Sequence, residues 1–150
     1  MADHSVTMTD EEIESFLGDG GVAVVSFARD DEPYSIPVSY GYDPAAGQFY
    51  VRLGFAPDSE KEAFAGPNRR VSIVVHRETD DGWASVVARG TLREVTEAAI
   101  DAQVVRAIRR VDIPLVSIFD APTRELDFRL YRVAVDDLSG RTERTERETE

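Results

Sequence analysis

Six short extended segments separated by turn residues constrain the fold of this chain more than any other sequence feature. Residues 22–27, 34–42, 49–55, 71–75, 83–95 and 128–135 are rich in the β-branched and aromatic side chains that strands favour. Turn sequences lie between several of them, including DDEP at 30–33, DPAAG at 43–47 and TDDG at 79–82. An open six-stranded sheet would leave two unpaired edges, which closure removes. The pattern therefore predicts a mainly β protein, a six-stranded antiparallel barrel with a few short helices.

Three short helices accompany the predicted strands. The first begins at Thr9, where a hydroxyl three residues before Glu12 forms a capping box, and it ends at Gly18. The second and third are predicted over residues 58–66 and 100–111. Pro37 interrupts the second strand, which indicates an edge, a bulge or a ligand-facing position because proline donates no ladder hydrogen bond. The chain reads as one domain over residues 1–138 followed by a charged, mobile tail at 139–150.

Charge and hydropathy exclude two classes of partner. With 29 acidic and 17 basic residues, the net charge of -12 disfavours binding to nucleic acid or to an anionic membrane. No apolar run approaches the roughly 20 residues that span a bilayer, so we expect a cytoplasmic protein. The surface is rich in acids and holds a single lysine, Lys61, as in proteins from salt-loving organisms. High salt would screen its self-repulsion.

The usual catalytic groupings are absent from the sequence. There is no cysteine and there are only two histidines, His4 and His76, so neither a metal triad nor a serine-histidine-acid relay is indicated. His76 stands at a strand end, where a histidine that is exposed or satisfied by hydrogen bonds is the common case. We therefore predict no catalytic side chain and no metal ligand.

A phosphate site is indicated at the start of the second helix. Ser59 offers a hydroxyl, Lys61 a compact positive charge, and the helix N-terminus free backbone N–H groups. The alternative is that Ser59 merely caps the helix while Lys61 is solvated. Because arginine replaces lysine everywhere else in the chain, a specific need for this ammonium group favours the phosphate interpretation.

An ordered set of motifs resembles one known family. The segments are YSIPVSYGYD at 34–43, FY at 49–50, SEK at 59–61, PNRRV at 67–71, SVVARG at 85–90 and LSGR at 138–141. In this order they resemble the pyridoxamine 5'-phosphate oxidase-related family of FMN-binding split barrels, over nearly the whole chain from Asp10 to Arg141. The resemblance implies a split barrel of the FMN-binding type, with FMN as cofactor at a homodimer interface.

The resemblance also implies which residues contact the flavin. They are, in chain order, Ser35, Pro37, Val38, Ser39, Tyr40, Tyr50, Val51, Arg52, Ser59, Lys61 and Ser85. The second strand would lie along the isoalloxazine ring, the third near the ribityl chain, and residues 59 and 61 at the phosphate. Glu60 departs from the pattern because many relatives have arginine there, and Arg52 is the candidate for the missing charge.

Three functions remain open. The first is an FMN-dependent oxidoreductase with an unknown small-molecule substrate. The second is a non-catalytic flavin-binding protein, or a haem-binding one with His76 as ligand, and the third is a deazaflavin-dependent reductase. Oxidation of pyridoxamine phosphate itself is not expected, since no tryptophan follows Trp83 and the tail lacks a basic cluster. A homodimer is expected because the barrel face bearing Trp83, Val86 and Ala88 would otherwise meet water.

Overall fold

Seven strands and one helix make up the part of the chain that the computed structural model describes, residues 4–18, 20–55, 69–80, 82–95 and 127–144. In chain order they are β1 (His4–Thr7), α1 (Asp10–Leu17), β2 (Gly21–Arg29), β3 (Glu32–Asp43), β4 (Gln48–Phe55), β5 (Arg69–Thr79), β6 (Gly82–Glu94) and β7 (Asp127–Arg144). The helices predicted over 58–66 and 100–111 lie outside the described residues. In the described segments no helix is long and apolar enough to cross a membrane.

Strands β2 to β7 form a closed antiparallel barrel. Neighbours follow the order β7-β4-β3-β2-β5-β6, and β6 pairs with β7 to complete the ring. All of these pairings are antiparallel. The predicted six-stranded antiparallel barrel is therefore confirmed, with strand ends that differ somewhat from those read off the sequence.

Strand β7 is the longest, at 18 residues, and it changes partner along its length. Residues 127–134 pair with β4, whereas residues 141–144 pair with the additional strand β1. Its other side pairs with β6 from Tyr131 to Glu143. Residues 139–144, which the sequence assigned to a charged, mobile tail, are part of this strand. Backbone hydrogen bonds to two strands hold this segment, and they need no apolar side chain to form.

A β-bulge interrupts the pairing of β6 with β7. Arg89 pairs with Asp137 but Gly90 pairs with Val135, so Asp136 is one residue in excess. Asp136 binds Arg70 of β5 across 2.6 Å, and Asp137 binds Arg89 across 3.2 Å. Both ion pairs are exposed, so they contribute more to the register of the bulge than to stability. The hydrogen bond from Arg70 holds the pKa of Asp136 below its usual value.

Alternate residues of every barrel strand face a single core. These inward side chains are Ala23, Val25, Phe27, Ile36, Val38, Tyr40, Tyr42, Phe49, Val51, Leu53, Val71, Ile73, Val75, Ala84, Val86, Ala88, Leu92, Tyr131 and Val133. The ring of Phe49 packs between two tyrosines, with its centroid 4.8 Å from that of Tyr42 and 5.8 Å from that of Tyr40. The period of two along each strand thus separates a filled interior from an outer face.

Helix α1 is bound to the barrel through its last turn. Its predicted capping box forms, with Thr9 and Glu12 each accepting from the other's backbone N–H. The Tyr40 hydroxyl donates to the carbonyl of Leu17 at 2.9 Å. The Arg77 guanidinium lies 4.0 Å from the centroid of the Phe16 ring and donates to the Phe16 carbonyl. Orphan carbonyls at the helix C-terminus are thereby satisfied by side chains of β3 and β5.

Pro37 lies where β3 has a neighbour on one side. Residues 32–40 of β3 pair with β2, but pairing with β4 begins only at Ser39. Within the described residues, the stretch 32–38 therefore has a free side. Of the three positions that the sequence left open for Pro37, an edge, a bulge or a ligand-facing one, the pairing within the described residues fits the edge.

The close packing at the bulge can be tested at Gly90, where there is no room for a side chain. A Cβ built there would lie 2.3 Å from the carbonyl oxygen of Ala134. We expect Gly90→Ala to lower the free energy of unfolding by at least about 2 kcal/mol, since the clash is with backbone that cannot move aside. Urea denaturation at fixed salt measures the change. The neighbouring Arg89→Gln, at an exposed position, should move the midpoint much less, and equal effects of the two would contradict this account.

Candidate functional site

An apolar patch lies on the outer face of four adjacent strands. It consists of Val22 and Val24 of β2, Pro37 of β3, Val74 of β5 and Val87 of β6, and is called the outer valine patch below. Pro37, Val24, Val74 and Val87 follow one another in register across the sheet. Val22, next to this row, is 58% exposed. Val24, Val74 and Val87 are half-buried, and a row of partly exposed apolar side chains of this kind is a candidate ligand or partner site.

Serines border the outer valine patch. Ser26, Ser35 and Ser72 form the next row across β2, β3 and β5, and Ser85 lies two residues from Val87 on β6. The hydroxyls of Ser26 and Ser35 are hydrogen-bonded at 2.8 Å. The serine row continues to Arg89 of β6, which lies opposite Ser72 and is bound by Asp137. Such a surface suits a flat apolar ligand with polar edges.

Strand β3 divides its five predicted flavin contacts between two faces. Ser35 and Pro37 are exposed on the outer face. Ser39 belongs to that face by strand alternation, opposite Val22 and Arg52, but it is only 4% exposed. Val38 and Tyr40 point into the core. A ligand on the outer face would meet those two residues through their backbone alone.

The predicted contacts on other strands are also divided. Tyr50 of β4 is 2% exposed and donates to Gln48 Oε1 at 3.2 Å, and Val51 is in the core. Arg52 is half-buried on the outer face. Ser85 is half-buried opposite His76 and Arg141.

Ser59 and Lys61 lie outside the described residues. Of the remaining predicted contacts, the structure brings Ser39 and Arg52 together as cross-strand partners. Ser85 lies apart from them, since β5 and β2 stand between β6 and β3. Three strand spacings separate Ser39 on β3 from Ser85 on β6, which is about 14 Å across the sheet.

The outward valines were not predicted from the sequence, and the apolar face predicted on β6 was wrong. The signal was available in the runs at 22–25 and 73–75, which are apolar without alternation, as in strands covered on both sides. The face expected to carry Trp83, Val86 and Ala88 does not exist as such. Trp83 is 49% exposed, whereas Val86 and Ala88 are buried in the core. An odd and an even position of one strand cannot share a face.

His76 is exposed, one of the two cases that the sequence left open, and neighbours Trp83. Their ring centroids are 5.9 Å apart, at the end of β5 and the beginning of β6. Within the described segments, no three histidine, aspartate or glutamate side chains come together to hold a metal ion. This corner of the outer face therefore offers aromatic surface and one imidazole.

Two buried tyrosines have altered ionisation. Burial raises the pKa of Tyr40, against the opposing hydrogen bond and charge of Arg77. Burial also raises the pKa of Tyr42, and the carboxylates of Glu14, Asp10 and Asp43 add to the shift. Both phenols therefore remain neutral at physiological pH and act as hydrogen-bonding and packing groups.

The comparison with known families decides what kind of barrel this is. A family model described as pyridoxamine 5'-phosphate oxidase matches residues 9–142. The chain belongs to the pyridoxamine 5'-phosphate oxidase family. The resemblance found in the ordered motifs is thereby confirmed. No curated protein matches the sequence.

Solved structures of this family share the fold. A FAD-binding protein from Mesorhizobium loti superimposes with a TM-score of 0.70 at 23% identity, covering 96% of this chain and 100% of its own. The FAD-binding protein of Mycobacterium smegmatis gives 0.64 at 17% identity, covering 93% and 99%. The FAD- and haem-binding protein of the same organism gives 0.66 at 14% identity, covering 97% and 76%. These likenesses establish a split barrel.

Tyr40 generates a prediction about alkaline pH. Because its pKa in the folded protein exceeds the value near 10 of an unfolded chain, its contribution to stability is complete below about pH 10 and is lost as the pH rises further. Tyr40→Phe should cost about 0.5–1.5 kcal/mol at pH 7, through the lost bond to Leu17. It should also flatten the decline between about pH 9 and 11. Urea denaturation across this range measures both, and an unchanged decline would show that Tyr40 does not titrate with unfolding.

Proposed function

We propose that this protein binds FMN, with the isoalloxazine ring against the outer valine patch, and that the bound flavin serves as the redox group of an oxidoreductase. The observation that carries the proposal is the patch itself, an apolar row bordered by serines on a chain of net charge -12. Membership of the pyridoxamine 5'-phosphate oxidase family supports it. So do the relatives from Mesorhizobium and Mycobacterium, which bind FAD.

The chemistry of the patch fits the two parts of a flavin ring system. The valine side chains offer apolar contact to the flat face of the ring. The free side of β3 over residues 32–38 offers backbone N–H and C=O groups to its pyrimidine edge, apart from the N–H that Pro37 lacks. Ser35, Ser39 and Ser85 add hydroxyls around the same wall. These groups would orient the ring without contributing an acid or a base.

The phosphate of FMN is assigned to Ser59 and Lys61 by the family motif, and Arg52 of β4 is the candidate for an additional positive charge. Arg52 is half-buried beside Ser39, so a positive charge stands at the β4 side of the patch. A single phosphate site favours FMN, which has one phosphate, over FAD, which has two. Titration with FAD as well as FMN tests this choice, because the relatives named above bind the dinucleotide.

The chain's own role in the reaction is binding, orientation and exclusion of water. When bound, the flavin supplies hydride or electron transfer. Tyr40 and Tyr42 lie in the core, and the serines of the wall do not exchange a proton readily at neutral pH, so these side chains contribute no acid or base to the reaction. Substrates with an acidic surface would be repelled by the net charge of -12.

A homodimer is part of the proposal. The outer valine patch and Trp83 expose apolar surface that a second barrel would cover. A flavin held between the two barrels would be shielded from water on both faces. We further propose a cytoplasmic protein adapted to high salt, on the basis of its acid-rich, lysine-poor composition.

Flavin titration of the purified protein tests the cofactor and Lys61 together. FMN should bind and riboflavin should bind more weakly, because it lacks the phosphate. Lys61→Ala should weaken FMN binding by about 10- to 150-fold and leave riboflavin unaffected. Arg29→Ala, an exposed charge at the β2–β3 turn, is the matched control and should change neither.

The outcomes of this titration are distinct. Equal losses for both ligands would place Lys61 away from the phosphate. Tighter binding of FAD than FMN would overturn the mononucleotide assignment. A Soret band in the purified protein, or binding of a deazaflavin but no flavin, would overturn the proposed function itself.

Dimerisation is tested at the most exposed residue of the outer valine patch. Light scattering at molar salt should give twice the chain mass of 16.7 kDa. Val22→Asp should shift this toward the monomer and weaken FMN binding, because a carboxylate would then be buried unpaired. Val6→Asp, at an exposed valine of β1, should do neither. A monomer that binds FMN normally would contradict the interface.

A further inference from the structure

Two arginines face each other on the outer side of the barrel. Arg93 of β6 and Arg132 of β7 are direct cross-strand partners. Their neighbours Leu92 and Val133 are buried in the core, so strand alternation places both arginines on the outer face. Direct partners have Cβ atoms about 5 Å apart, and like charges at that distance destabilise a sheet. An arginine pair in register therefore needs an explanation.

The arginines nearer the bulge are neutralised by aspartates, whereas Arg93 and Arg132 are not. Arg70 is bound by Asp136 and Arg89 by Asp137. Within the described segments neither Arg93 nor Arg132 forms an ion pair, although the chain has 29 acids for 17 bases. Glu94 follows Arg93 directly but alternates to the opposite side of β6. Although acidic residues are abundant in the chain, none of those in the described segments forms an ion pair with Arg93 or Arg132.

A third arginine extends the same face. Arg132 pairs with Tyr50 of β4, and Arg52 is two residues further along that strand. Arg52, Arg132 and Arg93 therefore cross three adjacent strands diagonally. Arg52 and Arg132 are half-buried and Arg93 is exposed. Partial burial reduces the screening of charge by water, so an anion at this place would be held more strongly than at an open surface.

We propose that Arg93 and Arg132 form a binding site for a phosphoryl group, with Arg52 adding positive charge at its β4 side. Two guanidinium forks present parallel N–H donors, which match the several oxygens of a phosphate. A phosphoryl group carries close to two negative charges and so neutralises the pair. The proposal rests on the register of these strands and does not depend on flavin binding.

Two sources can supply this phosphoryl group. One is the single phosphate of FMN, which this arginine pair would then hold in place of Ser59 and Lys61, since Arg52 lies beside Ser39 at the edge of the proposed ring site. The other is a separate phosphorylated small molecule, bound next to the flavin. The binding chemistry is the same for both, and competition separates them.

Inorganic pyrophosphate is the probe, titrated calorimetrically into the full-length protein at one fixed salt concentration. Binding to the unaltered protein should be measurable, and Arg93→Gln combined with Arg132→Gln should weaken it by at least about tenfold. Arg29→Gln removes the same charge from an exposed turn and should leave it within about twofold. The salt is fixed because electrostatic affinities depend on it.

A stability measurement separates binding from a structural role. Without ligand, Arg132→Gln should unfold at the same temperature as the unaltered protein or a higher one, because a like-charge pair has been relieved. Pyrophosphate should raise the unfolding temperature of the unaltered protein and not that of the double variant.

The same titration in saturating FMN identifies the source. Loss of pyrophosphate binding assigns the site to the flavin's own phosphate, and simultaneous binding assigns it to a separate phosphorylated ligand. The proposal is overturned if the double variant and Arg29→Gln bind pyrophosphate equally, or if Arg132→Gln destabilises the protein while leaving binding unchanged. Either result would leave FMN binding, and hence the proposed function, standing.

Discussion

Backbone hydrogen bonds from β7 to both β4 and β6 hold the barrel closed, and the outer face depends on this closure. Without β7 the remaining five strands would form an open sheet with edges at β4 and β6. The bulge at Asp136 lets one 18-residue strand follow the curvature of the ring and still pair with β1 beyond it. Gly90 is necessary for this arrangement because the carbonyl of Ala134 occupies the place of a side chain.

Closure also explains why functional groups collect outside rather than inside. Within the described residues the interior is filled by aromatic and branched side chains, Phe49 and Tyr40 among them. A ligand must therefore use the outer face, where the barrel offers apolar rows, serine rows and arginines in fixed register. The outer valine patch and the Arg93–Arg132 pair lie on different parts of this wall. Their separation allows one ligand with an apolar and an anionic part, or two ligands side by side.

The sequence was sufficient for the barrel because its information lies in local patterns. Turn residues delimit the strands, and the capping box of Thr9 and Glu12 marks the helix. It was insufficient for β1 and for residues 139–144, since these segments pair through their backbones and carry few apolar side chains. That Val86 and Trp83 point to opposite faces of β6 follows from strand alternation alone and could have been predicted. That Arg93 lies opposite Arg132 depends on a register that the bulge shifts. Such a register arises from pairing between strands far apart in the chain, which local patterns do not encode.

Among the proposed flavin contacts, the family motif pointed to positions on β3, but only the structure shows which of them present side chains.

The position of β7 in the chain has a consequence for biosynthesis. Every other barrel strand precedes it, so the edges of β4 and β6 stay incompletely paired until residues 127–143 have left the ribosome. Roughly fifty residues separate the end of β6 from that point, which at about 5–20 residues per second is a delay of several seconds. During this interval the nascent sheet displays two templates for pairing with other chains, together with a wall of exposed valines. Acidic residues spread along the earlier strands and turns repel neighbouring copies in that state, so the charge of this protein protects its synthesis as well as its folded form.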